Sequence, residues 1–293
     1  MDDRAARVRA HVHAAWKGEV DRRRERRRRV VLTTIRGLVA AAVVTVVVAR
    51  PARLSDPVLA VATVERTEGD APVAPGARID RGDEIVTGRG TRVALRRVIS
   101  SIRLDEHTHA RFISHHTIEL IAGAIYVDSN GVEDPIEIVT PIGNITDIGT
   151  QFEVRVLPKS VRVRVRSGSV AVRRERESIK AAAGSELMIL PSGIETRVAP
   201  VYGGDWSWTS RLARPFAIEG QRLHAYLTYL AHENGWTLRY ADAGVQRLAS
   251  STVLHGSVEG LDPEAALGVA LTIAHLSHTL EDGDLRIWRL SSR

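Results

Sequence analysis

Cysteine is absent from the 293 residues, which rules out a disulfide scaffold and any thiolate-ligated zinc or iron–sulfur centre. The absence leaves the compartment open, because a chain that folds in an oxidising space can either pair its thiols or have none. Catalytic signatures are missing as well. Gly88-Arg89-Gly90 lacks the third glycine and the following helix of a dinucleotide loop, no Gly-Lys-Ser/Thr phosphate loop occurs, and no serine sits in a nucleophile elbow. His107, His109, His115 and His116 fall close together, but no Asp or Glu spacing completes a metal-ligand set, and alternating histidines on strands usually face solvent. His224 and His232 lack a Glu-plus-His zinc motif and are expected on the surface. Asp105, Glu106, Asp147 and Glu153 read as strand-end and turn carboxylates with nothing to poise them as an acid–base pair. No enzymatic activity, cofactor or metal is expected.

A basic surface is also missing from most of the chain. The net charge is +6, yet residues 1–36 hold 12 Lys+Arg against 5 acids, leaving 29 against 30 for residues 37–293. The excess belongs to one short tail, so a nucleic-acid-binding body is not supported. With 44% hydrophobic and 26% charged residues the chain is otherwise globular, and its length suits about two folded domains.

Residues 30–50 read as a membrane span. Val30–Ala49 is an apolar twenty-mer interrupted only by Arg36, and a helix of that length rises roughly the 30 Å of a hydrocarbon layer. Arg36 lies near the basic end, where its side chain can snorkel to the headgroups, and Pro51 stops the helix on the far side. Arg26, Arg27, Arg28 and Arg29 precede the span, so the positive-inside rule leaves the N-terminus in the cytoplasm and places residues 51–293 across the membrane. The competing reading is a cleaved leader ending at Val47-Val48-Ala49. In the tail, residues 1–29, Val8, Val12 and Trp16 form a narrow apolar stripe on a basic helix. That stripe suits a partner's groove; alternatively, the helix is solvated and drawn to anionic headgroups by Arg22–Arg29.

From Val58 to about Val201 short Val/Ile-rich runs alternate with Gly, Pro, Asn and Asp, which predicts an all-β domain within 51–205, a sandwich, barrel or short solenoid. Val161–Arg166 alternates valine with arginine, and Ser167-Gly168-Ser169 reads as a turn into a returning strand at Val170-Ala171-Val172. Trp206 and Trp208 mark a linker over 206–212 and suit interdomain packing better than a carbohydrate platform. Residues 213–293 then change period. A strand over Pro215–Glu219, a helix over Gln221–Asn234 with Gly235 at C′, and strands over Trp236–Tyr240 and Thr252–Val258 are predicted. A second helix capped by Asp262 and a hairpin about Asp282-Gly283-Asp284 complete a βαββαββ α+β layer.

Residues 58–201 resemble the FecR domain of bacterial transmembrane sigma-factor regulators. The likeness is carried by Gly82-Asp83 with Ile85-Val86-Thr87-Gly88, Gly123-Ala124-Ile125-Tyr126-Val127-Asp128, Asp147-Ile148-Gly149-Thr150-Gln151-Phe152 and Ala183-Gly184-Ser185-Glu186-Leu187. Residues 213–290 resemble, through Phe216, Leu227, Gly235 and Leu254-His255-Gly256, the short N-terminal domain of secretins and TonB-dependent transducers (STN domain). The resemblance implies a single-pass inner-membrane protein with periplasmic C-terminal domains. Such a protein relays a signal from a TonB-dependent outer-membrane transducer to an extracytoplasmic-function (ECF) sigma factor in the cytoplasm, as anti-sigma factor or as activator. Regulators of this kind commonly carry a longer cytoplasmic domain with several tryptophans; here Trp16 stands alone, and with Val8 and Val12 it is the expected sigma-factor contact. The alternative function is an envelope-anchored or secreted module that binds cell-wall polymer or an assembly partner.

Overall fold

The computed structural model describes residues 60–97, 100–131 and 135–290. The tail, its stripe of Val8, Val12 and Trp16, the arginines 26–29 and the apolar twenty-mer lie outside the described residues. Among the described residues no helix is long and apolar enough to cross a membrane.

Residues 60–198 contain the strands β1 Ala60–Glu68, β2 Arg78–Asp80, β3 Glu84–Val86, β4 Arg92–Arg96, β5 Ser101–Leu104, β6 His109–Phe112 and β7 Thr117–Asp128. They continue with β8 Glu137–Thr140, β9 Gly143–Leu157, β10 Ser160–Arg174, β11 Glu177–Ala182, β12 Ser185–Leu190 and β13 Gly193–Val198. Hydrogen bonding joins all of these into one network, but the three longest strands change partners halfway. The first half of β7 pairs with β6 and β8, and its second half with β5 and β9. Likewise β10 pairs through residues 161–164 with β12 and through 169–174 with β11, while β9 stays beside it throughout. The result is a two-layer sandwich. The first layer runs β13-β12-β10-β9-β7-β5-β4-β1-β2 and the second β11-β10-β9-β8-β7-β6-β3.

The partner switches coincide with Gly123, Gly149 and Gly168, all at positive φ, and with register shifts between Val165 and Ser169. At Gly168 (φ 72°) a Cβ would fall inside the van der Waals envelope of the Gly149 carbonyl oxygen, so the corner needs glycine twice over. Ser167-Gly168-Ser169 is therefore a bend within a single strand, not the expected turn between two. The bend keeps Val161, Val163, Val165, Val170 and Val172 all in the core, together with Ile102, Ile125, Phe152 and Leu187 of the first layer and Phe112, Ile118 and Ile138 of the second. Each such side chain contributes roughly 1.5–3 kcal/mol of apolar burial.

Beyond the sandwich the chain makes a 3₁₀ turn at Gly204–Trp206 and a short helix α1 Ser207–Arg211, followed by α2 Leu223–Asn234, β14 Thr237–Tyr240, α3 Ala243–Ser251, α4 Pro263–Ile273, β15 Leu276–Glu281 and β16 Asp284–Arg289. The expected cap holds, since Asp262 accepts from the N–H groups of Glu264 and Ala265 with Pro263 in the first turn. The hairpin turn is the two residues Asp282 and Gly283, both at positive φ as a type I′ turn requires. The strand order is β14-β16-β15, with β14 parallel to β16.

The βαββαββ order needs correction, because the chain runs α-β-α-α-β-β here. Pro215–Glu219 and Thr252–Val258 form no strands: the Glu219 carboxylate meets His255 Nδ1 (2.8 Å) and accepts from the Gly256 N–H (2.7 Å), and backbone pairing begins only past Glu219, at an Arg222–Val253 bridge flanked by Leu223 N–H to Thr252 O (2.9 Å) and Leu254 N–H to Gln221 O (2.8 Å). Pro215 has no N–H to donate and Gly220 turns the chain at φ 72°, so the pairing cannot lengthen. The missed helix α3 is capped by Asp242, which accepts from Gly244 and Val245.

Candidate functional site

The outer face of the first layer is where the chemistry gathers. Alternation puts Val93, Ile102, Ile125 and Val163 inside and sends Ala94, Arg103, Tyr126, Glu153, Arg164, Glu186 and Arg197 outward. Those seven are cross-strand neighbours in register, forming one row over β4, β5, β7, β9, β10, β12 and β13. Opposite charges alternate along most of it, which is why Val161–Arg166 carries an arginine face.

Glu186 accepts from Arg164 Nε at 2.5 Å and from Arg197 Nε at 2.7 Å. Burial alone would raise its pKa, but the two guanidinium groups outweigh it and hold the carboxyl below the usual range. Glu153 accepts from Arg155 Nη2 (2.9 Å) and Arg162 Nη2 (3.1 Å), relieving two like charges that face each other across the ladder. Arg155 Nη2 also reaches Asp105 at 2.7 Å, and Asp105 in turn accepts from Arg92 Nε at 2.8 Å. Against the opposing effect of burial, these bonds lower the Asp105 pKa. Asp105 and Glu186, held this way, are ionised struts, an arrangement unsuited to proton transfer near neutrality. Asp147 differs: burial raises its pKa, and it accepts from the Thr150 hydroxyl behind the Gly149 bend.

The half of the row nearest β5 and β7 is covered by the α+β domain. Trp206 and Trp208 lie edge-on to Tyr126, with ring centroids 6.3 and 6.5 Å away, and pack with Ala94, Ala124 and Leu212. Both tryptophans are buried, which realises the interdomain packing and excludes a platform for carbohydrate. The 206–212 segment is thus a wedge between the domains. Next to it the C-terminal turn of α2 inserts its charged end. Arg103, 1% exposed, grips the Glu233 carboxylate with both ends of its fork (2.8 and 3.0 Å) and donates to the Thr209 carbonyl at 2.7 Å. Arg166 donates to the carbonyls of Glu233 (2.9 Å) and Val201 (3.0 Å), and its guanidinium lies 4.3 Å from the centroid of the Trp206 ring. Two guanidinium groups thus sit at the negative end of the helix dipole. Burial lowers the Arg166 pKa and raises that of Tyr126.

Asp128 and Gln151, neighbours across β7 and β9, meet His232 of α2. His232 Nε2 lies 2.7 Å from Asp128 Oδ2, and Gln151 Nε2 lies 2.7 Å from His232 Nε2 and 3.1 Å from Asp128 Oδ2. His232 is therefore a seam residue at the rim, its side chain 40% exposed as the expected surface placement requires; His224 pairs with the Tyr240 hydroxyl at 2.7 Å within its own domain. Asp128, His232 and Glu233 are the described residues whose ligand atoms come close enough to hold a metal ion. The set does not suit one, because both Glu233 oxygens are taken by Arg103 and the Arg166 charge lies alongside. Of the four clustered histidines, His109 pairs with Glu84 at 2.7 Å, and none joins a metal-ligand cluster among the described residues. Only the tryptophans and the Arg-bearing strand were legible in advance; Arg103, Glu233 and the Asp128–His232 pair were not, because each lies about a hundred residues from its partner.

The fold and this seam define a bent β-sandwich sealed by buried ion pairs to a small α+β domain. Residues 83–171, which lie within the sandwich, match the family described as FecR protein. No curated protein matches the chain. In fold the chain is similar to two crystal structures named "putative anti-sigma factor from Parabacteroides distasonis ATCC 8503", with 15% and 16% identity and a TM-score of 0.38 each. Each similarity covers 71% of this chain, and 100% and 99% of those chains.

Proposed function

We propose that the chain is a membrane-anchored sigma-factor regulator. The observation that carries this reading is a match to the FecR protein family at residues 83–171, downstream of an apolar twenty-mer and a tail with an arginine run. In this reading residues 30–50 cross the inner membrane once, and Arg26–Arg29 keep the N-terminus in the cytoplasm. There the stripe of Val8, Val12 and Trp16 contacts an ECF sigma factor. The sandwich and the α+β domain lie in the periplasm and take their signal from a TonB-dependent outer-membrane transducer. A single helix carries little information by itself, so the signal must bias helix position, association or proteolytic survival.

The test is co-purification of the full chain with each ECF sigma factor of its host at low salt, where contacts of a basic tail are strongest. Capture of one sigma factor, reduced about tenfold or more by Trp16→Ala, is the expected result. Failure to retain any, or a mature chain that begins near residue 50, overturns the reading in favour of an envelope binding module.

A further inference from the structure

His232 is the described seam residue whose ordinary pKa puts its charge change near neutral pH. We propose that it makes the seating of the α+β domain on the sandwich depend on pH: an imidazolium clasp onto Asp128 closes the seam in mild acid, and the seam loosens as the medium turns alkaline.

Among the described residues the direct ion pair to Asp128 comes from His232, while Arg103 acts on it only through space. The Arg103 fork binds Glu233, and Arg166 donates to two carbonyls. Asp128 also accepts from Gln151 Nε2 (3.1 Å) and the Asn130 N–H (3.0 Å), both uncharged donors. Loss of the imidazolium proton therefore leaves a carboxylate that is 3% exposed without a directly bonded cation at the domain boundary.

The groups facing His232 from the packed elements are Asp128 on β7 and Glu233 on α2, which favour the charged ring, and Arg103 on β5, which opposes it. Gln151 on β9 is uncharged, but its amide nitrogen lies 2.7 Å from the same ring nitrogen and opposes a proton there, and Arg166 on β10 sits at the helix end. The balance is positive: the hydrogen bond to Asp128 raises the His232 pKa, with burial acting against it. For a raised pKa, the stabilisation is complete below the unfolded-state value of about 6.5 and is lost as pH rises through the folded-state value. Asp128 has a lowered pKa, because its bond from His232 outweighs burial, so its share is present above about 3.9 and lost below that. The clasp is therefore strongest between roughly pH 5 and 6.5.

Hydrogen exchange of the full-length chain in detergent micelles, followed by mass spectrometry from pH 5.5 to 8.5 and corrected for intrinsic rates, tests this directly. Peptides from Leu223–Asn234 are expected to show an opening constant about three- to tenfold larger at pH 8.5 than at 5.5, whereas β10 stays flat. His232→Gln, which keeps a hydrogen-bonding group without the charge, is expected to abolish the pH dependence, and Asp128→Asn to do the same. A flat wild-type profile, a slope of opposite sign, or a slope that survives His232→Gln overturns the proposal. If His232→Gln fails to fold, the wild-type profile and Asp128→Asn decide it.

Discussion

Removing the charge of Glu233 while keeping its shape is the sharpest perturbation of the seam. Glu233→Gln leaves one acceptor for the Arg103 fork and puts an amide N–H₂ where the second accepting oxygen was. The guanidinium it strands is 1% exposed, so water cannot compensate it without opening the domain contact. Breaking a buried pair typically costs 3–5 kcal/mol; with one bond kept, and with the Glu233 side chain itself 10% exposed, about 2–4 kcal/mol is expected. Arg103→Met should cost about 3–5 kcal/mol, since it strands the carboxylate and takes one of two donors from the Thr209 carbonyl, which keeps the Leu212 N–H. The double variant Arg103→Met/Glu233→Met removes both charges, leaves that carbonyl with one donor, and should lie about 1–2 kcal/mol below wild type, better than either single. Denaturant unfolding of the full chain, followed by tryptophan fluorescence, measures all four corners of the cycle, with Trp206 and Trp208 reporting on the seam. A Glu233→Gln chain within about 0.5 kcal/mol of wild type, or a double variant as damaged as the sum of the singles, would refute the claim that this pair is buried and coupled.

Two further perturbations probe the same contact and the ladder beside it. Gly235 ends α2 at φ 69° and a Cβ there would overlap the Val201 carbonyl that Arg166 binds, so Gly235→Ala should lower the melting temperature by about 5 °C or more, beyond an ordinary C′ glycine replacement. Stability should fall as pH drops below about 4, because the lowered pKa values of Asp105 and Glu186 make contributions that are present above the unfolded-state values and lost as pH falls through the folded ones. An acid melt of Arg155→Met should show a shallower loss than wild type, and an identical curve would mean that Asp105 is not held by that arginine.

What could be read in the sequence follows from how local the determining forces are. The Asp262 cap, the Gly235 stop, the Asp282-Gly283 turn and the apolar faces of α2 and α4 are each decided within a few residues, and each was legible. The bend at Gly168 was mistaken for a turn because Ser-Gly-Ser looks the same in both; what separates them is whether β9 follows β10 around the corner, a contact outside that window. Helix α3 was hidden by Gly244 and by the run Ser250-Ser251-Thr252, although Asp242 with Val245, Leu248 and Ala249 at helical spacing was the signal that would have found it. The strands expected at Pro215–Glu219 and Thr252–Val258 were apolar enough but lacked a partner long enough to pair with, and strand formation depends on that partner. His232 gave no local sign at all, because its role is fixed by Asp128, 104 residues away.

A seam that sets buried charge beside an aromatic wedge has a mechanical consequence. Apolar faces tolerate sliding, since dispersion and desolvation vary smoothly with position. A planar fork on a carboxylate, with a second guanidinium on the last carbonyls of the same helix, admits one register. Small displacements forfeit the bonds of Arg103 and Arg166 together and leave desolvated cations behind, so they cost more than the same shift across an apolar face. The α+β domain is thereby held in one register on the outer face of the sandwich. Under the proposed reading, a transducer that grips this domain has two ways to act: it can favour the seated arrangement, or it can supply enough binding energy to unseat it. Only a partner with different affinities for the two states can shift the balance between them.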